Sequence, residues 1–192
     1  MVTRVYFARH AQPDHRWEGD RSRPLTDEGK QDSEKVLEFF KGLPINAFYC
    51  SPYRRSVDTI AAAAEFLGKK IVTDERLRER ECGPDGNNRG MFQKRWAEKD
   101  FHEAGGESIH SVQRRNIEAL REILRDHLGE SVVIGTHGTA LSSILNFYEP
   151  EFDCDSFLRI IDWMPYVIEL DFEDGQLIRK VEHFHIEKEY KG

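Results

Sequence analysis

The sequence predicts an α/β domain built around a mainly parallel sheet, and three observations point there. Short runs rich in β-branched and aromatic residues alternate with longer segments whose apolar residues recur at helical spacing. Three of those runs, VYFA, AFYC and SVVIGT, stop abruptly at Arg, His or Ser. The 192 residues are 39% hydrophobic and 33% charged, which supplies one substantial core and argues against disorder.

The elements follow in order along the chain. Residues 4–8, RVYFA, read as the first strand. Thr26 is placed as the N-cap of a helix, with Asp27 and Glu28 in the first turn, where the helix dipole favours negative charge. Val36, Leu37 and Phe40 form its apolar stripe. A second strand is expected at 47–50, AFYC, and after it a helix whose core side carries Val57, Ile60, Ala61 and Ala64. KIVTD at 70–74 reads as a third strand. The stretch 80–110 is dominated by Gly and charge, in GPDGNNRG and GGES, and reads as a long excursion that covers a site. A helix over 111–128 should turn Ile117, Leu120, Leu124 and Leu128 inward. SVVIGT at 131–136 is the fourth strand, followed from near Gly138 by a helix with Leu141, Ile144 and Leu145 inside. YVIELDF (166–172) and IRKVEHFH (178–185) read as a hairpin turning on Glu173, Asp174 and Gly175, which makes the sheet mixed. His183 and His185 alternate on that last strand and should share one solvent-facing side. The chain is expected to form a single domain.

Composition narrows the function classes. The formal net charge is -7, so the chain carries no basic footprint for nucleic acid. No run approaches the ~20 apolar residues of a membrane span, and no secretory leader is visible. Cys50, Cys82 and Cys154 are odd in number and match no zinc spacing, which fits reduced thiols in a cytoplasmic protein.

The chemistry converges at strand ends. VYFA runs into Arg9 and His10, AFYC into Ser51, Pro52, Arg54 and Arg55, and SVVIGT into His137 and Gly138. Parallel strands would bring all three endings to one sheet edge, where open α/β sheets bind their ligands. Each leads toward a helix, whose first N–H groups attract anions. Two Arg and two His gathered in an acidic chain call for an anionic guest, and phosphate suits them better than a lone carboxylate. Glu79 sits in a charged run with Glu75 and Glu81, and the residues alone do not single it out. Arg54 reads as a solvated helix residue, His102 and His110 as surface positions, and Trp17 and Trp96 as either pocket-mouth or packing residues.

ARHAQ, SPYRRSVDT, LRERECG and GTHG, in this order, resemble the histidine phosphatase superfamily, phosphoglycerate mutase-like branch. Ser51, Pro52, Arg55 and Thr59 match its second element, Leu77, Glu79 and Gly83 its third, and His137 and Gly138 its fourth. RPLTDEG and GGES match two further segments. Ala11 and Ser56 depart from the pattern, Arg16 stands where many relatives have Asn, and GPDGNNRG replaces a Gly-x-Trp-Glu-Gly segment. The resemblance implies a three-layer α/β/α sandwich with a mainly parallel central sheet and helices on both faces. It implies a phosphatase acting on a small phosphorylated molecule, without metal or other cofactor. His10 would be the nucleophile, transiently phosphorylated, and Glu79 the proton donor. Arg9, Arg55 and His137 would hold the phosphoryl oxygens, with Gln12, Arg16 and Gly138 as further substrate contacts. Two alternatives stay open: mutase-type phosphoryl transfer, and a non-catalytic phosphate- or phosphoprotein-binding regulator.

Overall fold

The computed structural model describes residues 1–84 and 88–189. Among these, six strands form one sheet in the order β3-β2-β4-β1-β5-β6. The strands are β1 (Thr3–Arg9), β2 (Ala47–Cys50), β3 (Ile71–Thr73), β4 (Ser131–Thr136), β5 (Trp163–Glu173) and β6 (Gln176–Glu187). The first four run parallel, while β5 pairs antiparallel with both β1 and β6. The helices are α1 (Asp27–Phe40), α2 (Arg54–Phe66), α3 (Phe92–Ala97), α4 (Ile109–Asp126), α5 (Gly138–Tyr148) and α6 (Cys154–Ile160).

Two apolar layers cover the two faces of the sheet, giving the three-layer sandwich. Val36, Phe40, Ile60, Ala63 and Ala64 of α1 and α2 pack on Tyr6, Phe48, Val133 and Val167. Leu120, Leu124, Leu141 and Ile144 of α4 and α5 pack on Phe7, Ile134 and Ile168, with Phe92, Trp96 and Phe157 extending that layer. Thr26 caps α1, its hydroxyl accepting from the Gly29 amide at 2.9 Å. No helix of the described residues is long and apolar enough to cross a membrane.

Several expectations shift. The buried side of α2 is turned by about a residue, so Ser56, Thr59 and Ala63 lie inside while Val57 and Ala61 are only half-buried. Leu128 is exposed because α4 ends at Asp126 and the helical period stops with it. The segment 80–110 is not a bare loop. A 3-10 turn at Arg89–Met91 and α3 fill it, and Phe92 and Trp96 enter the core against Phe157. Part of GPDGNNRG, residues 85–87, lies outside the described residues. His183 and His185 do not meet the same layer. A register shift between Val167 and Ile168 breaks the alternation. His183 contacts Phe39 and Tyr6, and its Nε2–H donates to the Glu169 carboxylate at 2.7 Å, whereas His185 stacks on Trp163 at 3.6 Å.

Candidate active site

The carboxyl ends of β1, β2 and β4 lie side by side, because β4 pairs with β1 through Arg9–Thr136 and with β2 through Cys50–Gly135. The residues that follow each strand therefore share one edge. A cavity of about 560 Å³ opens there, lined by Arg9, His10, Arg55 and Glu79 among others.

His10 forms the centre of this edge and is 6% exposed. Its Nδ1 lies 2.8 Å from the Ala11 carbonyl oxygen. A carbonyl accepts only, so Nδ1 carries the proton and Nε2 keeps its lone pair. Burial holds the imidazole well below its ordinary pKa, and the nearby guanidinium groups of Arg55 and Arg9 push it further the same way. His10 is thus an uncharged imidazole among cations.

His137 is fully buried, with its ring edge-on to His10 at 5.2 Å between centroids. Its Nε2 meets the Ser51 hydroxyl at 2.7 Å, and that hydroxyl already accepts from the Tyr53 amide. In the tautomer where the hydroxyl donates to Nε2, the ring proton of His137 sits on Nδ1. Among the described residues Nδ1 has no hydrogen-bond partner. A buried donor without an acceptor is destabilising by about 1–3 kcal/mol, so the site favours a guest that accepts there. Burial, then the Arg55 guanidinium, keep His137 well below the usual imidazole pKa.

Arg9 leaves β1 and is 3% exposed. It donates to the carbonyls of Ile160 (2.5 Å) and Ile161 (2.9 Å), just past α6. Gly138, the first residue of α5, packs directly beneath it: a Cβ there would lie 3.2 Å from the guanidinium carbon. Arg55 lies in the first turn of α2 with its side chain 5% exposed. Thr59, one turn on, accepts from the Ala11 amide at 2.9 Å and donates to the Arg55 carbonyl at 2.7 Å, tying α2 to the end of β1.

Glu79 follows β3 and a 3-10 turn. Its two oxygens accept from the amides of Thr139 and Ala140, at 3.0 Å each, and from the Arg80 amide at 2.8 Å. The N-terminus of α5 therefore fixes the carboxylate at the cavity wall. Gly83 turns the chain there with φ of 71°, and a side chain would collide with the Ala104 carbonyl.

Arg9, His10, Arg55, Glu79, His137 and Gly138 are thus brought together, and two sequence candidates are not. Arg16 points outward with its side chain 87% exposed and its guanidinium on Asp14. Gln12 accepts from the Thr26 hydroxyl at 2.9 Å and serves the start of α1 rather than the cavity. Arg54 is exposed and paired with Asp58, as expected. Trp17 is exposed, and neither His102 nor His110 lines the cavity. The sequence reading missed His15, Asp20, Arg21, Arg23, Tyr53 and Arg80, which line the wall. The signal available was the density of charge between residues 14 and 23.

The profile of the histidine phosphatase superfamily (branch 1) matches residues 5–178. The chain belongs to this superfamily. Phosphoglycerate mutase-like protein 4 of Arabidopsis thaliana is 31% identical over 143 residues, 66% of this chain; the chain spans 60% of that relative's length. A putative phosphoserine phosphatase 2 of Hydrogenobacter thermophilus is 26% identical over 159 residues, 75% of this chain and 77% of the relative. Among solved structures, a mycobacterial glucosyl-3-phosphoglycerate phosphatase superposes with a TM-score of 0.77 at 19% identity, covering 95% of this chain and 97% of its own. At that identity the likeness extends to the histidine phosphatase fold.

Proposed function

We propose that the protein hydrolyses a phosphomonoester through a phosphohistidine on His10. The observation that carries this reading is the state of His10: buried, proton pinned on Nδ1, lone pair on Nε2, cations around it. Nε2 attacks phosphorus, and the bond to the leaving oxygen breaks. Arg9, Arg55 and the Nδ1–H of His137 take up the charge that builds on the phosphoryl oxygens, which is where phosphoryl transfer needs help. Glu79 gives the leaving oxygen a proton, then accepts one from the water that attacks the phosphorus–nitrogen bond. Phosphate leaves and His10 is restored. Cationic side chains supply the charge stabilisation, so the cycle needs no metal. The substrate is a small phosphorylated molecule.

Hydrolysis is favoured over mutase chemistry by Glu81 and Cys82: residues 79–83 read Glu-Arg-Glu-Cys-Gly where mutases carry Glu-Arg-His-Tyr-Gly. A pure binding regulator has no use for a nucleophile and a proton donor, and both are present. The relatives named for phosphoserine phosphatase and mutase-like activity are compatible with the shared phosphohistidine step. Purified protein is expected to release p-nitrophenol from p-nitrophenyl phosphate, and H10A to release none. An acid-labile phosphorylated protein should be trapped on rapid quenching. Absence of turnover in the parent protein, with phosphate still bound, would favour the regulator.

A further inference from the structure

The loop between β1 and α1 reaches back into the phosphate site through one residue, Asp20. Arg55 Nη1 donates to the Asp20 carbonyl at 2.7 Å and to its Oδ1 at 3.1 Å. The same Oδ1 accepts from Arg23 Nη1 at 3.0 Å. The neighbouring residue adds two more ties. The Arg54 amide donates to the Arg21 carbonyl at 2.9 Å, and the guanidinium groups of Arg21 and Arg55 both lie about 5 Å from the Tyr53 ring centroid (5.1 and 5.0 Å). The base of the loop is closed by a bridge between Pro13 and Leu25. Asp20 itself stays half-exposed, while Arg55 is nearly buried.

A guanidinium is a planar fork, and what it recognises depends on which edge is already occupied. Every hydrogen bond of the Arg55 side chain among the described residues is made by Nη1, and both go to Asp20. The Nε–Nη2 edge is left for a guest. We propose that Asp20 is the positioning residue of the phosphate cradle: it fixes the plane of Arg55 so that the Nε–Nη2 edge meets the phosphoryl oxygens. Arg23 offsets the charge that Asp20 brings near an anion. The contribution of Asp20 to catalysis is therefore orientation of an α2 residue, not direct contact with phosphate. This rests on the assignment of Arg55 to phosphate binding made above.

The test is calorimetric binding of inorganic phosphate, together with p-nitrophenyl phosphate kinetics, on the parent, D20A and D20N. Misplacing a charge-stabilising group by an ångström reduces rates by up to about 10²-fold; D20A removes the Oδ1 anchor and keeps the backbone carbonyl, so it should lose about 10-fold in kcat/KM and bind phosphate correspondingly more weakly. D20N keeps an oxygen acceptor for Nη1 and should stay within about 3-fold of the parent. In the R55A background D20A should cause no further loss, because the two act as one unit. D20A binding phosphate as well as the parent, or better, would overturn the positioning role, as would independent, multiplying losses in the double variant. D20N losing as much as D20A would overturn it too, since charge rather than geometry would then be the cause. A parent protein that binds no phosphate at all would bring down the phosphatase reading along with it. Phosphate bound by the parent and retained by D20A removes Asp20 alone.

Discussion

The floor of the cavity and its wall are built by different means. The floor consists of Arg9, His10 and Arg55, with His137 packed against His10 behind them. All four are under a tenth exposed, and each sits at a strand end or helix start. Backbone carbonyls hold it: Ile160 and Ile161 for Arg9, Ala11 for His10. The wall consists of the loop carrying His15, Asp20, Arg21 and Arg23, together with Arg80–Gly83. Side-chain ion pairs hold much of it, such as Arg21 with Glu75 and Arg23 with Asp20. Exposed pairs of that kind contribute at most about 1 kcal/mol each. The difference teaches where generality and selectivity reside. In the proposed reading the rigid floor suits any phosphoryl group, and the charges of the wall can vary without disturbing it except at Asp20, which reaches Arg55.

The comparison is broken most directly at the floor. Replacing His137 with Ala should lower kcat/KM for p-nitrophenyl phosphate by about 10²- to 10³-fold, the loss typical of removing one charge-stabilising donor. A loss under 10-fold would mean that the orphaned Nδ1 has another purpose. Glu79 sits where floor meets wall, and E79Q sharpens the boundary. Its effect should be about 10²-fold on an alkyl phosphate, whose leaving oxygen needs a proton. It should be much smaller on p-nitrophenyl phosphate, whose leaving group needs little help. Equal effects on both esters would remove proton donation from its role.

The floor should also announce itself in stability. His10 and His137 are kept neutral when folded, with pKa values below 6.5, while the unfolded chain takes up protons near that value. Below pH 6.5 the unfolded state therefore binds more protons, and folding stability falls as the pH drops. Each histidine contributes a slope of about 1.4 kcal/mol per pH unit in that window. Denaturant unfolding of the parent and of H137Q between pH 7 and 5 measures it, and an unchanged slope in the variant would contradict the assignment. The same shift predicts that kcat/KM keeps its neutral-pH value to below pH 6.5 before its acid limb begins. The smallest effect belongs to Arg16: exposed and paired with Asp14, it should leave kcat/KM within about 2-fold when replaced by Ala.

Much of the floor was legible because each motif coincides with a structural necessity. AFYC and SVVIGT are strands over the residues expected, since apolar runs of β-formers bounded by turn residues have few other uses. Thr59 recurs in its motif position because it joins Ala11 to Arg55. Strand β5 begins three residues earlier than read, since Pro165 looks like a boundary when only the sequence is available. The short helices α3 and α6 offer too few turns for a period to show. His15, Asp20 and Tyr53 were invisible as site residues for another reason. Their place depends on how a loop folds back over α2, and no local pattern encodes that contact. Gln12 and Arg16 do not line the cavity, because a family position fixes an address in the chain and not the direction of a side chain.

One contact spans nearly the whole chain. Arg9, at the end of the first strand, hangs from carbonyls about 150 residues later, just before the closing hairpin. The proposed anion site is therefore incomplete until the last quarter of the polypeptide has folded against the first. Orthophosphate affinity becomes a gauge of assembly. Any lesion that loosens the carboxyl-terminal third should register as a weakened grip on the ion, even where no residue near phosphorus has changed.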